Sequence, residues 1–167
     1  MRRILRRREV VEDDWRVLGE EGAEEAASPA LIVPFAEFRT HTAKWRAYAG
    51  RLGVRLSPVD AVEDLAEDIQ RLSLVAAEFP TPGEGRGYTQ GRLLRSRLQF
   101  KGELRAVGAA VKQDLLFILS RCGFDSFELA AGQKIEEALR ALDRYSVAYQ
   151  PAEPVPSIRQ QRYRAAG

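Results

Sequence analysis

The chain has 167 residues, of which 26 are Lys or Arg and 24 are Asp or Glu, so its formal net charge is +2 at pH 7. This length indicates a single domain with a real hydrophobic core. The one cysteine, Cys122, and the one histidine, His41, cannot supply the four ligands of a structural zinc ion or an iron–sulfur cluster. We therefore expect no intrinsic metal, haem or iron–sulfur cluster and no internal disulfide, and the identity of any cofactor stays unknown.

Hydropathy and charge patterning also limit the expected partners. No apolar run approaches the roughly 18 residues that a membrane helix needs, and the N-terminal arginines are not followed by the apolar segment of a signal peptide. We expect a cytoplasmic protein without a membrane partner. The arginines near both ends lack the aromatic interleaving of a single-strand binder, so no nucleic-acid partner is expected.

The first and last parts of the chain differ from the middle in composition. Residues 1–28 are predicted to form a small hairpin-like appendage and a linker, because an acidic turn at 12–14 separates two apolar-containing segments. Residues 29–150 are predicted to form an α/β domain. The prolines and arginines of residues 151–167 indicate an extended tail.

Short apolar runs within residues 29–150 predict strands that are buried on both faces. They lie at 30–33, 54–56, 72–77, 103–107 and 126–129, and residues 146–149 are a candidate sixth strand. Helical patterns separate these runs. They predict a helix capped by Thr40 or Thr42, one from Pro58 to Leu72, one from Tyr88, one over 110–121, and one after Gly132.

Strands and helices thus alternate about every 20–25 residues, which is typical of parallel βα units. We expect an α/β fold with a five- to six-stranded, mostly parallel sheet, open and covered by helices on both faces as three layers. The alternative is an incomplete barrel-like sheet, since a closed barrel of this kind has eight strands and typically about 250 residues. A second copy would complete such a sheet, so a homodimer is one expected state.

The ligand crevice of a parallel sheet lies beyond the carboxyl ends of its strands, and this rule selects the residues that follow strand 72–77. Glu78 is a candidate proton acceptor and Tyr88 a candidate hydroxyl donor, and we predict them as the catalytic residues. Each has a structural alternative: Glu78 can pair with Arg86, and Tyr88 can cover the rim of the core. Lys101 and Glu103 enter their strand from the opposite end and are not expected in the site.

The loop before the Tyr88 helix is a candidate anion site. A helix N-terminus attracts anions, and Arg86 offers a rigid fork for sulfate, phosphate or carboxylate. We predict that Gly85, Arg86, Gly87, Thr89 and Gly108 bind the ligand, a small oxyanion. The G-x-G-x-G spacing at 83–87 matches neither the dinucleotide fingerprint nor the Walker pattern, so nucleotide binding by those two mechanisms is not expected.

Three short motifs carry a resemblance to a known family: EFP at 78–80, GRGY at 85–88 and RCGFD at 121–125. With them, residues 1–150 resemble small, uncharacterised bacterial proteins described as oxidoreductases involved in sulfite reduction. Members are commonly encoded beside sulfite reductase and other sulfate-assimilation enzymes. The sequence departs from the pattern at Thr89, where serine is usual.

The resemblance implies a place in assimilatory sulfate and sulfite reduction, with sulfite reductase or another enzyme of sulfate assimilation as partner. Sulfite reduction uses haem and iron–sulfur centres, for which this chain has no ligand set. The first hypothesis is therefore an accessory or binding protein that acts beside the sulfite reductase. The alternatives are a stand-alone oxidoreductase or acid–base enzyme with a crevice at Glu78, Arg86 and Tyr88, and a structural scaffold without catalysis.

Overall fold

The computed structural model describes residues 2–20 and 28–143. Within them, eight strands form one sheet in the order β2-β1-β8-β7-β6-β5-β4-β3. The strands are β1 (Arg3–Arg6), β2 (Glu9–Glu12), β3 (Arg16–Val17), β4 (Ala30–Pro34), β5 (Arg51–Leu56), β6 (Leu74–Glu78), β7 (Glu103–Val107) and β8 (Ser126–Phe127). The candidate strand at 146–149, the tail at 151–167 and linker residues 21–27 lie outside the described residues.

Five α-helices accompany these strands in the described part of the chain. They are α1 (Phe35–Thr40), α2 (Thr42–Arg46), α3 (Arg86–Ser96), α4 (Leu116–Arg121) and α5 (Ile135–Asp143). Two 3₁₀ turns, Val62–Leu65 and Ile69–Arg71, connect β5 to β6. No helix of the described residues is both long and apolar enough to cross a bilayer.

The central strands run parallel, as the buried apolar runs predict. Pairs β3–β4, β4–β5, β5–β6, β6–β7 and β7–β8 are all parallel. The N-terminal hairpin adds β1 antiparallel to β8 and β2 antiparallel to β1. Its turn lies at Arg7 and Arg8, with φ of 49° and 65°, and not at residues 12–14 as the acidic run suggested. The α/β class with a mostly parallel sheet is confirmed, but the described sheet has eight strands rather than the predicted five or six, because β1, β2 and β3 of the N-terminal segment join it.

The two edge strands of the sheet are neighbours in sequence. Three residues, 13–15, join the end of β2 to the start of β3, and such a connection spans at most about 14 Å. In a flat sheet with strands about 4.8 Å apart, the first and eighth strands would be about 34 Å apart. The sheet is therefore strongly curled, an open half-barrel. This confirms the alternative of an incomplete barrel-like sheet over the three-layer arrangement.

The curl divides the sheet into an outer and an inner face with different coverings. Alternate strand residues such as Leu31, Val54 and Val75 belong to the large outer core, to which the helices contribute Phe38 and Leu116. The inner face has its own small apolar cluster, whose members are Trp15, Ala30, Ile32, Leu74, Ala76 and Val107. No helix residue of the described chain belongs to that cluster. The three-layer prediction was wrong because the curled sheet fills its inner face with its own side chains.

The predicted helix from Pro58 to Leu72 is replaced by the two 3₁₀ turns. Four of its five large apolar positions, Val62, Leu65, Ile69 and Leu72, are buried, but Val59 is 78% exposed, so the pattern identified the core-facing side chains at all but one position. At Pro58 the chain forms a single turn instead, in which the Asp60 N–H donates to the Ser57 carbonyl at 3.2 Å and the Asp60 carboxylate accepts the Ser57 N–H at 2.6 Å.

Candidate functional site

The carboxyl ends of β5, β6 and β7 bring together part of the predicted crevice. Glu78 ends β6, and its carboxylate pairs with the Arg55 guanidinium at the end of β5, 2.9 Å away. The side chains are 30% and 34% exposed, so the pair lies at the rim of the inner face. The structure thus gives Glu78 a cationic partner, but this partner is Arg55 and not Arg86.

Glu78 and Tyr88 lie on different sides of the end of β6. Glu78 lies on the inner face of the sheet, since side chains alternate along a strand and Leu74 and Ala76 lie on that face. The Tyr88 ring instead packs edge-on against Phe79, 5.1 Å between centroids, and contacts the outer core. Burial raises the pKa of the Tyr88 hydroxyl, so this side chain loses a proton less readily than an ordinary tyrosine. The two predicted catalytic residues therefore do not form a direct acid–base pair in this structure.

Close packing against Phe79 accounts for the need for glycine at two of the predicted ligand-binding positions, Gly87 and Gly108. A Cβ added to Gly87 would lie 2.5 Å from the Phe79 ring, and one added to Gly108 would lie 2.5 Å from the Phe79 carbonyl oxygen. Gly108 also has a φ of +115°, which disfavours any side chain. The backbone links the same elements, since Phe79 N–H donates to the Val107 carbonyl at 2.7 Å. These glycines let the loops after β6 and β7 approach each other closely.

The N-terminus of α3 has an open surface and an internal carboxylate. Gly85 precedes the helix without a side-chain cap, and nothing lies within 4 Å of a Cβ added there. The Glu84 carboxylate accepts the Arg86 backbone N–H at 3.1 Å and lies 3.5 Å from the Arg86 guanidinium. Thr89 is exposed one turn further on. A carboxylate thus occupies the place where a helix N-terminus favours negative charge.

Gln90 fixes the start of α3 to the loop after β5, a role that sequence reasoning missed. Its side-chain N–H groups donate to the carbonyls of Ser57 and Asp60 at 2.8 and 3.0 Å. The residue is 5% exposed, and its Oε1 is buried without a partner. The sequence did contain a signal for this role: Gln90 is a polar residue among the core-facing positions of the helix, and such a residue indicates a tertiary hydrogen bond.

A buried ion-pair network crosses the inner face, and sequence reasoning missed it as well. The Arg105 guanidinium binds both carboxylate oxygens of Asp13 at 2.9 and 3.0 Å and one oxygen of Glu103 at 2.7 Å. Arg2 adds a second contact to Asp13 at 2.8 Å. Burial opposes ionisation of Asp13, but the Arg105 and Arg2 contacts outweigh it and hold the pKa of Asp13 below 3.8. The network ties the N-terminal segment to the middle of the sheet.

The lone thiol has the features of a core residue. Cys122 is 9% exposed, and burial raises the pKa of its thiol despite nearby arginines. A thiol of this kind is mainly protonated near neutral pH and is a weak nucleophile. Within residues 2–20 and 28–143, no three side chains of His, Cys, Asp or Glu lie close enough together to hold a metal ion.

The chain matches a protein-family model. Residues 53–157, which make up more than half of the chain, match the family model described as "Bacterial protein of unknown function (DUF934)". This range contains most of β5, all of β6, β7 and β8, and the predicted crevice residues. No curated protein matches the chain.

Proposed function

The chain belongs to the bacterial family DUF934, whose description assigns no activity, and we propose that it is an accessory binding protein of assimilatory sulfite reduction. In this proposal it acts beside the sulfite reductase and engages anionic groups at the N-terminus of α3. The anion is either a sulfur oxyanion or a carboxylate on the surface of the reductase.

The arrangement at α3 is the observation that carries a binding role. Glu84 places a carboxylate at the helix start, within reach of the Arg86 backbone N–H and guanidinium. Gly85 leaves open space beside it. An incoming anion could therefore replace Glu84 and gain the same charge-assisted contacts. Arg86 is 64% exposed, so a large partner has access to it.

Binding fits the crevice better than acid–base catalysis does. Glu78 is held by Arg55 on the inner face. Tyr88 packs on the other side of the strand end, with a raised pKa. A general base and acid have to reach the same reacting group, and these two side chains approach from opposite sides. This geometry argues against the alternative of a stand-alone acid–base enzyme.

The link to sulfur metabolism rests on the sequence motifs EFP, GRGY and RCGFD. The amino-acid inventory supports an accessory role beside a redox enzyme, because one Cys and one His are too few to ligate an iron–sulfur cluster. The chain would contribute binding and orientation, while the reductase carries the electrons.

Growth of a deletion strain tests the proposal. With sulfate as the sole sulfur source, loss of the gene should impair growth, and the wild-type gene should restore it. An Arg86→Ala gene should restore growth poorly, because it removes the exposed cation at the start of α3. Arg97→Ala is the matched control: Arg97 follows the same helix at its other end and is 66% exposed. Normal growth of the deletion strain on sulfate would contradict the proposal.

A further inference from the structure

A cleft lies at the end of the curled sheet opposite to Glu78, where β5, β6 and β7 begin. Its volume is about 430 Å³, within the range of small-ligand sites. The hairpin supplies Arg6, Arg7 and Glu9, and the strand starts supply Arg51 and Glu103, with Trp15 beside them. The family motifs lie elsewhere, and the rule on strand carboxyl ends had excluded this end of the sheet.

Trp15, which lines this cleft, has a buried hydrogen-bond donor without a partner. The residue is 3% exposed, and its indole Nε1–H is buried without a partner. An indole N–H can only donate, and most buried polar groups in folded proteins have a partner. Only an acceptor group can pair with the Trp15 Nε1–H.

Two arginines of the cleft also retain donor capacity. The nearest carboxylate oxygens lie 3.6 Å from Arg6, on Glu103, and 3.7 Å from Arg7, on Asp125. Both distances exceed those of a hydrogen bond. Arg51 differs: it pairs with Asp14 and stacks over the Trp15 ring, 5.0 Å from its centroid.

The carboxylate nearest to Arg6 is already engaged from inside the sheet. One oxygen of Glu103 accepts two hydrogen bonds from the fully buried Arg105, at 3.0 and 2.7 Å. Ser126 lies opposite Arg6 in the strand register, and its buried hydroxyl has no partner. The Glu103 oxygen that faces Arg6 is not the one that Arg105 binds, so the two arginines share this carboxylate and Arg6 keeps further N–H donors for a ligand.

We propose that this cleft binds a small oxyanion, a carboxylate or a tetrahedral sulfate- or phosphate-type group. The ligand oxygens accept hydrogen bonds from Trp15 Nε1–H and from the guanidinium groups of Arg6 and Arg7. Glu9 is exposed at the rim and opposes binding by charge. The site is separate from the start of α3 and does not depend on the proposed function.

The indole N–H signals of the ¹⁵N-labelled full chain provide the test. The protein has two tryptophans, and Trp45 is the internal control: it is 1% exposed and its Nε1 is also unpartnered, but it lies in the outer core. Titration with sulfate, phosphate and acetate, at constant ionic strength with chloride as balance, should shift the Trp15 signal and leave Trp45 unmoved. The most effective of the three anions identifies the ligand class.

Two variants assign the effect to the cleft. Arg6→Gln should weaken the anion response by about tenfold or more, because a hydrogen bond to a charged group is lost, whereas Arg97→Gln should leave it unchanged. Glu9→Gln should strengthen it, and this variant keeps the inner-face network intact if Arg6→Gln fails to fold. A Trp15 signal that ignores all three anions, or shifts equally in Arg6→Gln and wild type, would overturn the proposal. The first result would mean that these anions do not bind near Trp15, and the second that they do not bind through Arg6.

Discussion

Arg105 and Asp13, ninety-two positions apart in sequence, form a bidentate ion pair in which neither side chain has any exposed area. Asp13 begins the three-residue connection between the edge strands β2 and β3. Its carboxylate also accepts the Trp15 backbone N–H at 3.3 Å. The pair therefore anchors the connection between the two sheet edges to the middle strand β7 and holds the curl in place.

Removal of the Asp13 carboxylate should destabilise the fold strongly. In Asp13→Asn, Arg105 loses a charged partner in a buried site, and breaking such a pair costs about 3–5 kcal/mol. Urea denaturation measures this as a lower midpoint. The control is Asp14→Asn, which removes a surface ion pair with Arg51 and should cost about 0–1 kcal/mol. Equal midpoints for the two variants would show that the buried pair does not hold the curl.

Asp13 should also affect how the free energy of unfolding depends on pH in the acid range. The pKa of Asp13 is lower in the folded chain than its ordinary value of 3.8, so the stability it contributes is present above pH 3.8 and is lost as the pH falls through the folded pKa. Wild type should therefore lose stability more steeply below pH 3.8 than Asp13→Asn does. Unfolding free energies across this pH range provide the measurement, and parallel curves would contradict the assignment.

Asp125 should affect the pH dependence of stability with the opposite sign to Asp13. Burial raises its pKa, although the Leu104 N–H and Arg95 partly offset the rise. Its contribution to stability is thus present below pH 3.8 and is lost as the pH rises through the folded pKa. Asp125→Asn should remove this decline. As the pH rises from below 3.8 through the folded pKa, the wild type should therefore lose stability relative to the variant. A difference independent of pH would contradict the raised pKa.

Gly108 should not tolerate a side chain. Alanine there combines a φ of +115° with a Cβ 2.5 Å from the Phe79 carbonyl oxygen, and we expect a loss of about 2 kcal/mol or more. Gly85→Ala is the control, since its Cβ would meet nothing within 4 Å, and it should change stability by less than about 0.5 kcal/mol. Thermal unfolding distinguishes the two. If Gly108→Ala unfolded at the same temperature as the wild type, the loops after β6 and β7 would not be closely packed.

Strands β4, β6 and β7 could be predicted from the sequence because each is a short apolar run whose side chains are buried on both faces. The run at 103–107 matches β7 to the residue, and those at 30–33 and 72–77 lie within two residues of β4 and β6. The curl could not be predicted in this way. It follows from pairing between β1 and β8, which depends on contacts more than a hundred residues apart in sequence.

The site was predicted less completely than the fold for a similar reason. The loop after β6 and the start of α3 are local features, so Glu78, Arg86 and their glycines could be located from turn residues and apolar spacing. The partners of these groups are not local. Arg55 lies on another strand, and Arg105 occupies an ordinary inner-face position of β7 whose partner is at residue 13.

Binding of purified sulfite reductase to the immobilised chain tests the central claim most directly. Wild type should bind, Arg86→Ala should bind at least about tenfold more weakly because a charge-assisted contact is lost, and Arg97→Ala should bind as wild type does. Glu84→Gln should bind more tightly, because the internal carboxylate no longer competes at the start of α3. No binding by wild type, or equal binding by Arg86→Ala and Arg97→Ala, would contradict an accessory role through this site.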